Sequence, residues 1–400
     1  MRIFIGLAEV ANNAFTYGKG FQSLGHETYT VITRKNPFYP DSHYNEVLAE
    51  QMEYPGEGFF PRIEAGRRRL SFFFKALRNC DLFIFLSGTS FLPGYWDYPI
   101  LKLFGKRIVS VFFGEDIRYW YAYAQEMRLL GWEEEIKPYL EYRKSDPKDF
   151  FMTKINRVRV AERYADLILS QPSQGELQTR AYMRVNVPLD LSQYHFNVPE
   201  RQVPLVVHAP SDRAVKGTEF VLETVKKLKG EGLPFEFQLV EKMPNAGVRK
   251  LLAEADIVVD QLFSQTVAGF ALESLATGNV VLARYNSDYA HIPPDCPVVN
   301  VTVDTLPVEL RRFILNSDLR RQLTYAGREY AERYHNHVKV AQQILDWLKP
   351  GGIQEYDFIP TFFQKDFMMP RDLLKEERRR MRQQRMERLS NLLLHSIRKA

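Results

Sequence analysis

Cysteine is nearly absent. Cys80 and Cys296 are the only two in 400 residues, far apart and without a CxxC neighbour. Neither a disulfide framework nor a zinc knuckle can be built from them, and a reducing, cytoplasmic compartment is the natural reading. Long apolar runs are absent too, so no transmembrane helix is expected. The opening Met1-Arg2-Ile3-Phe4-Ile5-Gly6 is too short an apolar stretch for a signal peptide. A dominant charge is missing from the body of the chain. The net charge of +5 hides an uneven split: residues 371–400 hold ten Lys/Arg against four Asp/Glu, which leaves 44 against 45 elsewhere. A near-neutral body excludes a nucleic-acid-binding face over the fold itself, and the cationic tail is left as a candidate for contact with an anionic membrane or an acidic protein.

Several motifs are also lacking. No GxGxxG follows the first strand and no GxxxxGK(S/T) occurs. There is no Asp-x-Asp triplet, no HExxH and no paired His cluster, so no metal site is expected.

What is present is a repeated alternation. Apolar, β-rich runs at Arg2–Leu7, Asp81–Ser87, Arg107–Phe113 and Ala165–Ser170 are separated by helical patterns. Strands that are apolar throughout and separated by helices mean βαβ units and a parallel sheet. Residues 119–164 form a helical insert whose aromatics, Tyr119, Trp120, Tyr121, Tyr123 and Trp132, stand among charges. Two readings fit it: a helical layer packed on the sheet, or an acceptor-side or membrane-facing surface. Prolines 188 and 199 frame an aperiodic linker over 187–203. A second series then begins, with strands expected at Leu205–His208, Phe235–Val240, Asp256–Asp260, Asn279–Arg284 and Pro297–Val303. The expected organisation is α/β: two doubly wound, Rossmann-like domains, 1–186 and 204–350, facing across a cleft. An aromatic return segment and a basic helical tail follow over 351–400. Open α/β sheets bind ligands at the carboxyl ends of their strands, and two of them place a cleft there.

Two stretches of the second half carry chemistry. In His208-Ala209-Pro210-Ser211-Asp212-Arg213-Ala214-Val215-Lys216-Gly217-Thr218 a strand ends and a helix opens, with two cations on the loop between. Backbone N–H groups at such a helix start favour anions, and Arg213 and Lys216 add charge-assisted bonds; a solvated basic turn is the plainer reading. In Ser264-Gln265-Thr266-Val267-Ala268-Gly269-Phe270-Ala271-Leu272-Glu273 a small-residue loop enters a helix that carries Glu273 in apolar surroundings. Its acceptor oxygens suit a pair of vicinal hydroxyls; helix capping is the alternative. Asp116 lies just past a first-half strand end, as a turn aspartate or as a cleft residue. Met243 follows another strand end as a candidate wall for a planar base, and His26 and His208 read as structural.

The order of strand, Lys-Gly helix, "ADIVVDQ" and "GxxxxExLAxGxVV" resembles the donor half of retaining GT-B glycosyltransferases of family 4. The resemblance covers most of 204–350 and is looser over 1–186. It implies that Arg213 and Lys216 hold a nucleotide diphosphate, with Gly269, Phe270 and Ala271 giving it backbone amides. It implies that Glu273, the second Glu of the family's E-x7-E pair, binds the ribose, with Thr266 beside it. The first Glu of that pair is Gln265 here, which keeps hydrogen-bonding capacity and loses the charge. The activity implied is metal-independent transfer of a sugar from a UDP- or GDP-linked donor, without a further cofactor, to a carbohydrate or lipid-linked hydroxyl. Lys216, Arg213 and, from the acceptor side, Asp116 are the implied catalytic residues. A nucleotide-sugar epimerase and a non-catalytic nucleotide-sugar-binding protein are the rivals that share the frame.

Overall fold

A computed structural model describes residues 1–40, 42–48, 59–146, 149–198, 201–241, 243–358 and 369–399. The chain forms two α/β lobes. In the first, strands β1 (Arg2–Leu7), β2 (Glu27–Ile32), β3 (Glu46–Val47), β4 (Leu82–Leu86), β5 (Arg107–Val111), β6 (Leu167–Ser170) and β7 (Met183–Arg184) make one parallel sheet in the order β3-β2-β1-β4-β5-β6-β7. Helices α1 (Asn13–Ser23), α2 (Phe59–Asn79), α3 (Asp97–Leu103), α4 (Trp120–Leu129), α5 (Lys137–Ser145) and α6 (Phe151–Tyr164) connect these strands. The β4 sequence Leu-Phe-Ile-Phe-Leu is buried at every position, because helices cover both faces of the sheet. Phe73 and Leu77 of α2, Tyr98 and Leu101 of α3 and Val158 of α6 fill one face. Gly25 at φ +79 turns the chain from α1 into β2, the left-handed step expected of a glycine there.

The second lobe runs β8 (Leu205–His208), α7 (Arg213–Lys216), α8 (Thr218–Gly230), β9 (Glu236–Leu239), α9 (Asn245–Glu254), β10 (Ile257–Val259), α10 (Gly269–Thr277), β11 (Val280–Ala283), α11 (Ser287–Ala290), β12 (Val299–Asn300), α12 (Leu306–Leu315) and α13 (Ser317–Tyr330). Its sheet is also parallel, in the order β12-β11-β10-β8-β9. The last strand is two residues long, where the apolar run had suggested Pro297–Val303.

Helix α14 (His337–Trp347) follows the second lobe in sequence and packs on the first. Its Val340, Ala341 and Ile344 share a core with Ala14, Tyr17 and Phe21 of α1. The two backbones approach so closely that a Cβ on Gly20 would lie 2.4 Å from the carbonyl oxygen of His337. The chain returns through a crossing in which Leu189 N donates to His335 O at 2.6 Å and His337 N donates to Leu189 O at 3.0 Å. His335 sits buried in that crossing, its Nδ1 at 2.9 Å from Val187 O, and burial lowers its pKa to about 3, so the ring is neutral.

The 119–164 insert is a packed helical layer that also bridges the lobes. Tyr119 and Tyr123 are buried, and Trp132 lies edge-on to Tyr289 of α11. Tyr142 donates to Asp212, Tyr289 donates to Glu126, and Arg284 pairs with Glu135. Beyond α14, Phe358 pairs with Tyr182 as an antiparallel bridge. Phe362, Phe363 and Phe367, expected to pack back on the body, lie outside the described residues. The basic tail is helix α15 (Arg371–Lys399), rooted on the first lobe where Glu377 accepts from Phe151 N and Arg380 lies over the Phe150 ring. Among the described residues no helix is long and apolar enough to cross a membrane.

Candidate functional site

Three strand ends of the second lobe converge on one cavity of about 380 Å³. At the end of β8, Asp212 caps α7 by accepting from Ala214 N at 3.0 Å and Val215 N at 3.1 Å. The one-turn helix delivers Lys216 to the cavity wall. Gly217 then leaves in the left-handed region at φ +69, with Leu262 and Phe263 where a side chain would stand. Lys216 is buried, and its Nζ lies 2.5 Å from Oδ1 of Asp260, the residue that follows β10. The lysine is thus anchored by one carboxylate oxygen and keeps donors for an anion.

At the next junction α10 opens without a side-chain cap: Ala268 is extended and makes no capping bond. The first amides of a helix have no partner within it and form a positive dipole end. Ala268, Gly269 and Phe270 line the cavity at this point, and the space beside Gly269 is open. One turn further along α10, Glu273 reaches the same cavity. It is buried, and its Oε1 accepts from the Tyr39 hydroxyl at 3.0 Å while Oε2 accepts from Asn245 Nδ2 at 3.2 Å. Burial raises its pKa, and the bonds from Tyr39, Asn245 and Tyr194 pull it back. Val240, Met243, Val248, Pro210 and Leu189 add apolar wall.

The first lobe closes the cavity with Ala11, Asn36, Phe38 and Tyr39. Phe38 O accepts from Asn245 N at 2.7 Å, so the segment after β2 is stitched to the start of α9. Asn245 is held in turn by Arg249, whose Nη1 donates to Asn245 Oδ1 at 2.8 Å. Beneath the cavity, His208 lies between Val259 O at 2.7 Å and Thr218 Oγ1 at 3.0 Å, and burial lowers its pKa. That is a structural histidine.

Lys216, Glu273, Gly269, Phe270 and Met243 therefore line one cavity. Arg213 does not: its guanidinium turns outward to Glu219 at 2.7 Å and Glu241 at 3.1 Å. Asp116 does not either. Its carboxylate accepts from Phe113 N, Gly114 N and Ile117 N, so it is spent on its own turn. A direct catalytic part for Arg213 or Asp116 has no support in this geometry. Ala271 is buried inside α10. Thr266 bridges to Gln171 of the first lobe at 3.4 Å. Gln265 is fully buried outside the cavity lining, and neither atom of its amide has a partner among the described residues. Tyr39, Asn245 and Asp260 are the additions. Asp260 could have been noticed at the end of the "ADIVVDQ" run; Tyr39 and Asn245 carry no local signal.

The architecture has known counterparts. No protein-family model and no curated protein matches the chain. Solved structures do. An alpha-glucosyltransferase in complex with UDP-glucose and DNA containing an abasic site superposes with a TM-score of 0.54 at 13% identity, over 88% of this chain and 99% of that one. WaaG, a glycosyltransferase involved in lipopolysaccharide biosynthesis, gives 0.53 at 15% identity, over 88% and 100%. Sucrose-phosphate synthase from Thermosynechococcus elongatus gives 0.53 at 13% identity, over 86% and 96%. The chain has the GT-B fold of glycosyltransferases. Within that frame the Lys216–Glu273 cavity lies between the two lobes of the GT-B molecule, lined by residues of both.

Proposed function

We propose that this GT-B protein is a glycosyltransferase that moves a hexose from a nucleotide diphosphate to a hydroxyl acceptor, without a metal ion and with retention of configuration. The observation that carries the reading is the meeting of Lys216, the uncapped start of α10 and Glu273 on one cavity. An anchored cation and a helix start recognise a diphosphate. A buried carboxylate one turn on recognises the hydroxyls of a ribose, and the apolar wall around Met243 takes the base.

In this reading the bond from the sugar carbon to the diphosphate oxygen breaks while the acceptor oxygen bonds to the same face. The acceptor proton passes to the departing phosphate. Lys216 and the α10 amides hold the charge that grows on the diphosphate, which is electrostatic stabilisation of the transition state. UDP is the favoured carrier, since structural neighbours include an enzyme solved with UDP-glucose. The acceptor is a carbohydrate or a lipid-linked sugar, reached by an enzyme that touches an anionic membrane through its 371–400 tail.

A thermal-shift screen against nucleoside diphosphates and their sugars tests the reading. A ligand at 100 times its Kd adds about 2.7 kcal/mol of stability. No shift with any of them, or an equal shift after Glu273→Ala, would sink it. Gln265 in place of a carboxylate favours a second reading, a protein that binds the nucleotide sugar and transfers nothing. Binding without transfer or donor hydrolysis over a broad acceptor panel would select it.

A further inference from the structure

Helix α3 is apolar on two opposite sides. Asp97, Tyr98 and Leu101 face the sheet and are buried. Trp96, Ile100 and Leu103 stand at i, i+4 and i+7, within about 60° of arc on the other side. Trp96 and Leu103 face away from the protein, 68% and 82% exposed, and Phe104 at the helix end is 61% exposed, while Ile100 between them is half-buried against the core. Single exposed apolar residues need no explanation, but a tryptophan, a leucine and a phenylalanine along one helix form a contiguous patch.

The charges around this stripe identify its occupant. Helix α2 lies beside α3, joined where Arg69 donates to Ser90 O and Ser90 Oγ donates to the Asp97 carboxylate. From Arg67 to Asn79 that helix holds five Lys/Arg and no Asp/Glu, and it exposes Phe74 next to them. Lys102 on α3, paired with Asp166, and Lys106 just beyond the helix flank the stripe. The nearby carboxylates are engaged: Asp97 by Ser90 and Phe91 N, and Asp166 by Lys102. Cationic α15 roots on the same layer, with Leu374 packed against the core that α2 and α3 cover. Tryptophan and phenylalanine among lysines and arginines suit the interface of an anionic bilayer, where rings enter the headgroup level and the cations meet lipid phosphates. A second protein copy would have to bury this cationic rim against itself.

We infer that the outer face of α3, with the basic face of α2, seats the first lobe on an anionic membrane. Helix α3 begins after β4, at the end of the sheet where Thr89 Oγ1 accepts from Leu7 N and the chain runs on to Ala11 in the cavity wall. The helix then runs back along the sheet, so Trp96 stands at the carboxyl end of the strands and Leu103 and Phe104 stand near the opposite end, where β5 begins. The inference stands on this surface alone and does not depend on the reaction proposed above.

The experiment is co-sedimentation of the full chain with vesicles of phosphatidylcholine alone, and with roughly a third phosphatidylglycerol added. The wild type should pellet with the anionic vesicles only, and Trp emission should shift to the blue, a shift removed by Trp96→Phe. The double variant Leu103→Glu, Phe104→Glu should lower the bound fraction at least about tenfold while melting temperature and nucleoside diphosphate binding stay unchanged, as exposed positions allow. Three results overturn the inference: a variant that pellets like the wild type, which assigns the binding to the tail; a wild type that ignores anionic vesicles; and a wild-type dimer in sedimentation velocity that the variant dissociates, which makes a second copy the occupant.

Discussion

The hydroxyl of Tyr39, from the first lobe, donates to Glu273 of the second across the cleft at 3.0 Å. Asn245 Nδ2 stands 3.3 Å from the same hydroxyl and also holds the other oxygen of Glu273. The carboxylate that would take ribose hydroxyls is therefore occupied by a phenol from the opposite lobe. A nucleotide must displace Tyr39 to reach it. Tyr39→Phe removes the competitor and keeps the ring, so calorimetry should show nucleoside diphosphate affinity rising about tenfold, or about 1.4 kcal/mol. A weaker affinity in this variant would mean that Tyr39 belongs to the bound state.

The Lys216–Asp260 pair makes a different prediction, because stability and binding diverge. Both side chains are buried, and Asp260 Oδ2 has no partner among the described residues. Lys216→Met leaves Asp260 as an uncompensated buried charge, which costs about 3–5 kcal/mol of folding free energy. Adding Asp260→Asn should restore most of that in urea unfolding. Nucleoside diphosphate binding should remain lost in the double variant, since the cation is gone from both. Recovery of binding along with stability would show that Lys216 only holds the fold.

The alternation of strands and helices was legible because strands covered on both faces are continuous apolar runs, as β4 is. The lobe on which α14 packs was not legible. Its periodicity says helix and nothing about its partner; Gly20, which admits the His337 backbone, decides that at a distance. In the site, Lys216, Gly269 and Glu273 belong to two strand–loop–helix junctions, and such junctions converge at the carboxyl edge of a parallel sheet. Arg213 shares a junction with Lys216, yet its direction is set by Glu219 and Glu241, six and 28 residues away. Asp116 is captured by amides within three residues. Tyr39 meets Glu273 over 234 residues of sequence, a pairing that only the closed arrangement of the lobes reveals.

Glu273 should read the sugar of the nucleotide rather than its base. A buried acceptor that loses its partner hydroxyl is left unpaired, so a site built for a hydroxyl rejects the analogue lacking it. Tested with a ribonucleoside diphosphate and its 2′- and 3′-deoxy analogues, the wild type should prefer the ribo form over at least one of them by about tenfold or more. Glu273→Ala should bring the forms to within about twofold. Discrimination that survives in the alanine variant would place the ribose elsewhere in the cavity.

The seam between insert and second lobe predicts a pH dependence of stability that can be assigned to one carboxyl pair. Glu126 on α4 accepts from Tyr289 of α11 at 2.7 Å, and Glu176, with no hydrogen-bond partner for either carboxylate oxygen among the described residues, lies buried near it. Burial raises both pKa values, and the repulsion from Glu126 raises Glu176 further, while Arg118 offsets part of the shift. A carboxyl whose pKa is higher folded than unfolded binds more protons in the native state. Stability from it is complete below the ordinary carboxylate pKa and is lost as pH rises through the folded value. Melting temperature should therefore fall from pH 5 toward pH 8, and Glu126→Gln, which keeps an acceptor for Tyr289 and removes the charge, should flatten that slope and melt higher than wild type at pH 8. A slope left unchanged in Glu126→Gln would mean that this pair is not what titrates.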